Sequence, residues 1–176
     1  MINRLPNLQA ILQVYAVIAV MLSAWTITAF LWKLSAWLLI LNLGEIFTVF
    51  SYVIVTNLVE SLIVLFLLLL ACVLLPPQIL RDDFVVRGGI LSIGFIAALM
   101  VFVKIEMQFG LESRTLLLIG PLAILLLNAV LLSFSSKIRF LHSGILWISD
   151  RLVVFLYILV PLFAFLFAYV LLRNIT

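Results

Sequence analysis

Residues 62–75 read LIVLFLLLLACVLL, fourteen apolar side chains in a row. A membrane β-strand alternates lipid-facing and lumen-facing residues, so an unbroken run of this kind argues against a barrel. A helix needs about 20 mostly apolar residues to cross a hydrocarbon core of about 30 Å. Working backward, the run continues to Ile46 with Glu60 as its only charge. Forward, Pro76-Pro77 ends it, since proline lacks the backbone donor and clashes with the preceding turn. A helix over 46–75 would rise about 45 Å, so it must tilt, protrude or break.

The rest of the chain follows the same pattern. Hydrophobic residues make up 68% of the 176 and charged residues 10%, against about 45–50% and about 25% in soluble domains. Mean hydropathy is +1.45. A globule of this size could not bury so much apolar surface, so lipid must be the main solvent. Four further spans are expected, over 8–31, 88–109, 115–134 and 152–172, giving an all-α, polytopic helical membrane protein of five spans with short loops. The expected organisation is a single transmembrane domain over 1–176. Leu8–Trp32 carries no charge for 25 residues, longer than the apolar core of a secretory signal. It is therefore expected to be an uncleaved first span.

Two stretches carry alternatives. Leu34–Gly44 is apolar but short, and Trp32 and Trp37 flank or enter it, as at a headgroup boundary. It could be re-entrant, interfacial or part of a span. A six-span arrangement would split the second segment near Thr56-Asn57. Gly88-Gly89 is expected to loosen the start of the third helix. Ser143-Gly144 is expected to form a turn before the fifth, with Ser149 or Asp150 capping it.

Charge sets an orientation. The net charge is +3. With five spans, Arg4, Arg81, Arg87, Lys137, Arg139 and Arg151 share one side, and Lys33, Lys104, Arg114 and Arg173 the other. The positive-inside rule then puts the N-terminus in the cytoplasm, with the cell (inner) membrane as the expected location. The basic residues form no run that would suit a nucleic acid.

Glu60 is the most informative side chain. An acid at the centre of a span costs about 2.5–3.5 kcal/mol on insertion scales. On a helix, Glu45, Tyr52, Thr56, Asn57, Glu60 and Ser61 form a polar stripe. Such a stripe is either a seam of interhelical hydrogen bonds or a path for an ion, proton or substrate. Lys104 is a candidate partner. It lies 16 residues from Gly88, while Glu60 lies 15 from Leu75, so the two are expected at similar depth. The alternative is that Lys104 snorkels outward. The candidate intramembrane site is therefore Glu60, Asn57, Thr56, Ser61 and Lys104.

Other polar groups have plainer expected roles. Gln9 and Gln13 share a face and are expected to bond across helices. Asn128 is expected to pack against a neighbour, and Gly94 with Ala98 to favour close helix approach. Gly120-Pro121 and Pro161 are expected to kink their helices. Asp82-Asp83 reads as a solvated loop rather than a metal site, and Lys137, Arg139 and His142 as a topology signal beside anionic headgroups. Asp150-Arg151 is an expected helix start and anchor. Cys72, the single cysteine, is expected to pack as a small hydrophobe.

One histidine and one cysteine leave no bis-His haem pair, His-rich metal set or thiol exchanger. The chain holds no H-E-x-x-H, G-x-S-x-G, C-x-x-C or P-loop. No cofactor, metal or catalytic residue is expected, and no enzyme. The expected partners are the lipid bilayer and another membrane protein or a second copy. The first reading is an accessory or structural membrane subunit working through helix–helix contacts. The alternative is a small transporter or channel using the stripe around Glu60. A third is a lipid-acting enzyme using the Arg81–Asp83 loop.

Overall fold

The computed structural model describes the backbone of residues 5–109, 114–135 and 139–175, and the side chains of these apart from 107–109, 114–119, 133–135 and 139–141. Arg4 and Lys137, and the side chains of Arg114 and Arg139, lie outside what is described. Among the described residues there is no strand. The helices are α1 (Leu8–Trp37), α2 (Leu43–Leu74), α3 (Pro77–Leu80), α4 (Phe84–Phe109), α5 (Arg114–Ser135) and α6 (Arg139–Ile175). The protein is an all-α polytopic helical membrane protein. Among the described residues, four stretches are long and apolar enough to cross a bilayer: Leu8–Trp37, Leu43–Leu74, Phe84–Glu106 and His142–Ile175. α5 carries a shorter apolar section, Gly120–Leu132.

The Leu34–Gly44 stretch is not a separate element. It supplies the last turn of α1, a tight turn closed by the Leu41 amide on the Trp37 carbonyl at 2.7 Å, and the start of α2. A capping box fixes that start. The Asn42 side chain accepts from the Glu45 amide, and the Glu45 carboxylate accepts from the Asn42 amide, both at 2.9 Å. Two otherwise orphaned donors are thereby satisfied. α2 then runs unbroken past Thr56-Asn57, so the six-span split does not occur. The Thr56 hydroxyl bonds back to the Tyr52 carbonyl at 2.9 Å and leaves the backbone ladder intact.

Two expected breaks are also absent. α6 passes straight through Ser143-Gly144 and Ser149-Asp150, so neither pair forms a turn or a cap. α4 begins at Phe84 and continues through Gly88-Gly89. These glycines are contact points: a methyl group on Gly88 would meet Leu68 at 3.2 Å and Val14 at 3.4 Å, and one on Gly89 would meet Ile145 at 3.0 Å. Glycine costs a helix about 1 kcal/mol relative to alanine, and close packing offsets that.

α1 is the centre of the bundle and touches α2, α4 and α6. Its residues Val14, Ala16, Ile18 and Ala19 are wholly buried. Ala16 and Ala19 let α6 approach through Leu156, with Leu152, Val153 and Leu159 around it. Val14 and Ile18 pack with Cys72, Leu80, Phe84 and Ile96, so Cys72 is a core residue. The outer surface is reversed from that of a soluble protein: Phe66, Leu126 and Ile158 are all more than 60% exposed.

Helix directions follow from the contacts. Gly88 lies against Val14, Gln13 donates to Asp150 at 3.5 Å, and Leu156 packs further along on Ala16 and Ala19, so Gln13, Gly88 and Asp150 share one level and α1, α4 and α6 run the same way. Ser23 faces Asn57, and Gly94 faces Asn128, so α2 and α5 run back. The three parallel helices next carry a charge at Lys33, Lys104 and Arg173. Counted from Gln13, Arg87 and Arg151, those intervals are about 30, 26 and 33 Å. They outline one charge-free layer, as thick as a hydrocarbon core of about 30 Å. Glu60 is the charged side chain inside it.

Candidate functional site

A groove of about 400 Å³ runs along the outer seam between α1 and α2. From α2 it takes Tyr52, Val53, Thr56, Asn57 and Glu60, and from α1 Trp25, Thr26, Ala29, Phe30, Lys33 and Trp37. The spacing in both sets is four residues with close neighbours, which places each set on one helix face. The two rims are therefore ridges of adjacent antiparallel helices, pinned together by Phe30 against Phe50 at 5.1 Å.

Asn57 forms the floor and is 1% exposed. Its Nδ2 donates to Ser23 Oγ at 3.0 Å. Its Oδ1 is buried and has no hydrogen-bond partner among the described residues. Thr56 has spent its proton on the Tyr52 carbonyl. Tyr52 donates to Asn174 Oδ1 at 2.7 Å, tying the groove to the end of α6. Glu60 is exposed on the outer face and has no hydrogen-bond or ion-pair partner among the described residues. It lies three residues beyond Asn57, which is level with Ser23. Its height is therefore about 10 Å inside the Gln13 level and about 20 Å from that of Lys33.

Of the five expected site residues, the groove brings together Glu60, Asn57 and Thr56. Ser61 turns away. It is wholly buried against α1, donates to the Leu58 carbonyl at 2.8 Å and lies 3.4 Å from the Tyr15 hydroxyl. Lys104 is elsewhere: it is exposed on α4, and no ion pair joins it to Glu60. The depth match fails because α2 overshoots the layer. Leu68, not Leu75, is level with Gly88, so Lys104 sits about 12 Å further across the membrane than Glu60.

The stripe is thus divided. Glu45 belongs to the capping box, Ser61 to the α1–α2 interface, and the middle to the groove. Counting along α2 alone missed the α1 wall. The recurrence of Trp25, Ala29, Lys33 and Trp37 at every fourth residue was the available signal. A second polar cluster, one turn of α2 from Tyr52, was also missed: Arg173 donates to the Thr48 hydroxyl, which lies 3.2 Å from the Tyr169 hydroxyl.

The remaining expectations resolve simply. Gln13 bonds across to Asp150, while Gln9 is exposed. Asn128 donates to its own helix at Ile124, 2.8 Å away, and its Oδ1 lies over Gly94. Arg151 sits 5.8 Å from the Trp147 ring. Asp83 faces His142 at 3.9 Å. Among the described residues no three acidic, histidine or cysteine side chains are placed to hold a metal. Comparison with protein-family models, with curated proteins and with solved structures finds no match.

Proposed function

We propose that this chain is an accessory membrane subunit that docks the α1–α2 face against another membrane protein. The observation that carries the reading is Glu60, a carboxylate inside the charge-free layer that faces outward from the bundle. Lipid is a poor solvent for it. A neighbouring helix would supply hydrogen bonds that the described residues of the chain do not. The packing of α1 supports the same reading, because Val14 to Ala19 fill the middle of the bundle at no more than 9% exposure. No recognisable catalytic set accompanies the groove, and the reading is non-enzymatic. The excess of Lys and Arg beside the N-terminal ends of α1, α4 and α6 favours a cytoplasmic N-terminus in a cell (inner) membrane.

A second reading, a small transporter, draws on the unpartnered Asn57 Oδ1 at the floor of the groove. One experiment separates the two. The chain is extracted gently into lipid nanodiscs, its native mass is measured, and every co-purifying chain is identified. The docking reading expects a stoichiometric second protein that Glu60→Leu releases while the chain stays folded. A lone monomer, with substrate flux that Glu60→Gln abolishes, would replace that reading with the transporter.

A further inference from the structure

The formal charge in the groove has one sign at each end, Glu60 at one and Lys33 at the other. At the Glu60 end the acceptors left over are the Glu60 carboxylate, the Asn57 Oδ1 and the lone pairs of a Thr56 hydroxyl whose proton is committed, with only the neutral donors of Trp25 and Thr26 on the facing wall. At the other end, Lys33 only donates. The two ends are about 20 Å apart along the helix axes. A volume of about 400 Å³ drawn out over that length is a furrow one side chain deep, open along its side to the bilayer. Its rims are helix ridges, the surface into which another helix packs.

Resting on the docking reading, we infer that the groove receives a transmembrane helix that presents one Arg or Lys to Glu60. A cation is required rather than a neutral donor, because a carboxylate in a low-dielectric layer gains most from an opposite charge. The same helix would offer an acceptor or acid to Lys33 about 13 residues away. Charge also argues against a second copy in this role. A two-fold axis along the membrane normal would set Glu60 against Glu60 at one depth, and Lys33 against Lys33.

The test uses the full chain in vesicles of phosphatidylcholine and phosphatidylglycerol, with Cys72→Ala and a fluorophore on a cysteine placed at Ile40. The probes are labelled polyleucine transmembrane helices: one with a single Arg at the depth of Glu60, one with that Arg moved into the opposite leaflet, and one all leucine. Energy transfer should show the Glu60-depth helix binding on the order of tenfold tighter than the other two, the scale of one intramembrane polar pair. Glu60→Leu should erase that preference. Glu60→Gln, closer in shape, should reduce it and controls for misfolding.

Equal binding of all three helices overturns the basic partner but leaves the docking reading standing. So does self-association that buries the groove of each copy against the other, read as energy transfer between differently labelled copies. Binding of no helix also overturns the basic partner, and together with a lone monomer in nanodiscs it overturns both.

Discussion

Glu60 is soluble in neither of its surroundings: the bundle turns it outward, and the lipid it meets cannot hydrate it. Replacing it by leucine should therefore stabilise the isolated chain by about 2–3 kcal/mol, seen as a higher unfolding midpoint in lipid, even as assembly is lost. A lower midpoint would mean that Glu60 is a structural residue. Gly94 behaves oppositely. A methyl group there would lie 2.7 Å from Asn128 Oδ1 and 2.9 Å from Leu131, too close for either. Gly94→Ala should cost about 1–3 kcal/mol by overpacking. Asn128→Ala in the same chain should recover part of that loss, which a double-mutant cycle would report. At this scale the sequence made Glu60 conspicuous, because one charge in a thirty-residue apolar segment needs no structure to be noticed. It could not reveal Lys33 as a wall of the same groove. That depends on the register in which Ser23 meets Asn57, and register is set by packing.

Among the elements, the second helix was the most legible and its start the least. Pro76-Pro77 stops α2 chemically, whatever surrounds it. Its beginning rests on Asn42 and Glu45, three residues apart, and the apolar run of Leu34–Gly44 hides them. Asn42→Ala should remove one half of the capping box and destabilise the chain by about 1 kcal/mol, measured by equilibrium unfolding in mixed micelles. No change would mean that the turn is held by its flanking helices alone. The break expected at Gly88-Gly89 fails because these glycines pack against Val14, Leu68 and Ile145, whereas Gly144 has open space around it and α6 simply continues through. Glycine and serine loosen helices in water by letting solvent take over the backbone hydrogen bonds. Where water is scarce and a neighbour packs closely, as at Gly88-Gly89, the helix keeps those bonds.

For the whole molecule, the charge-free layer defines two faces, and the orientation across them can be tested directly. In a Cys72→Ala background, a cysteine at Ile40 on the α1–α2 turn should react with a membrane-impermeant thiol reagent added outside intact cells. A cysteine at Asp82 should react only after permeabilisation. The opposite pattern would invert the protein and leave the bundle unchanged. Composition alone was enough for a helical membrane protein, and alternating spans followed from length. The order of packing around α1 was not legible, because its stripe of small and branched residues resembles any other apolar segment.

The placement of α1 bears on how the chain is made. The helix at the centre is synthesised before its neighbours, and two of the three, α4 and α6, do not yet exist when it leaves the ribosome. Its buried polar groups do not have to wait for them. Ser23 is matched by Asn57 and Tyr15 by Ser61, all within the first hairpin. That hairpin can pass sideways from the insertion machinery into lipid with those groups already paired, while Gln13, Thr48 and Tyr52 await their partners on α6.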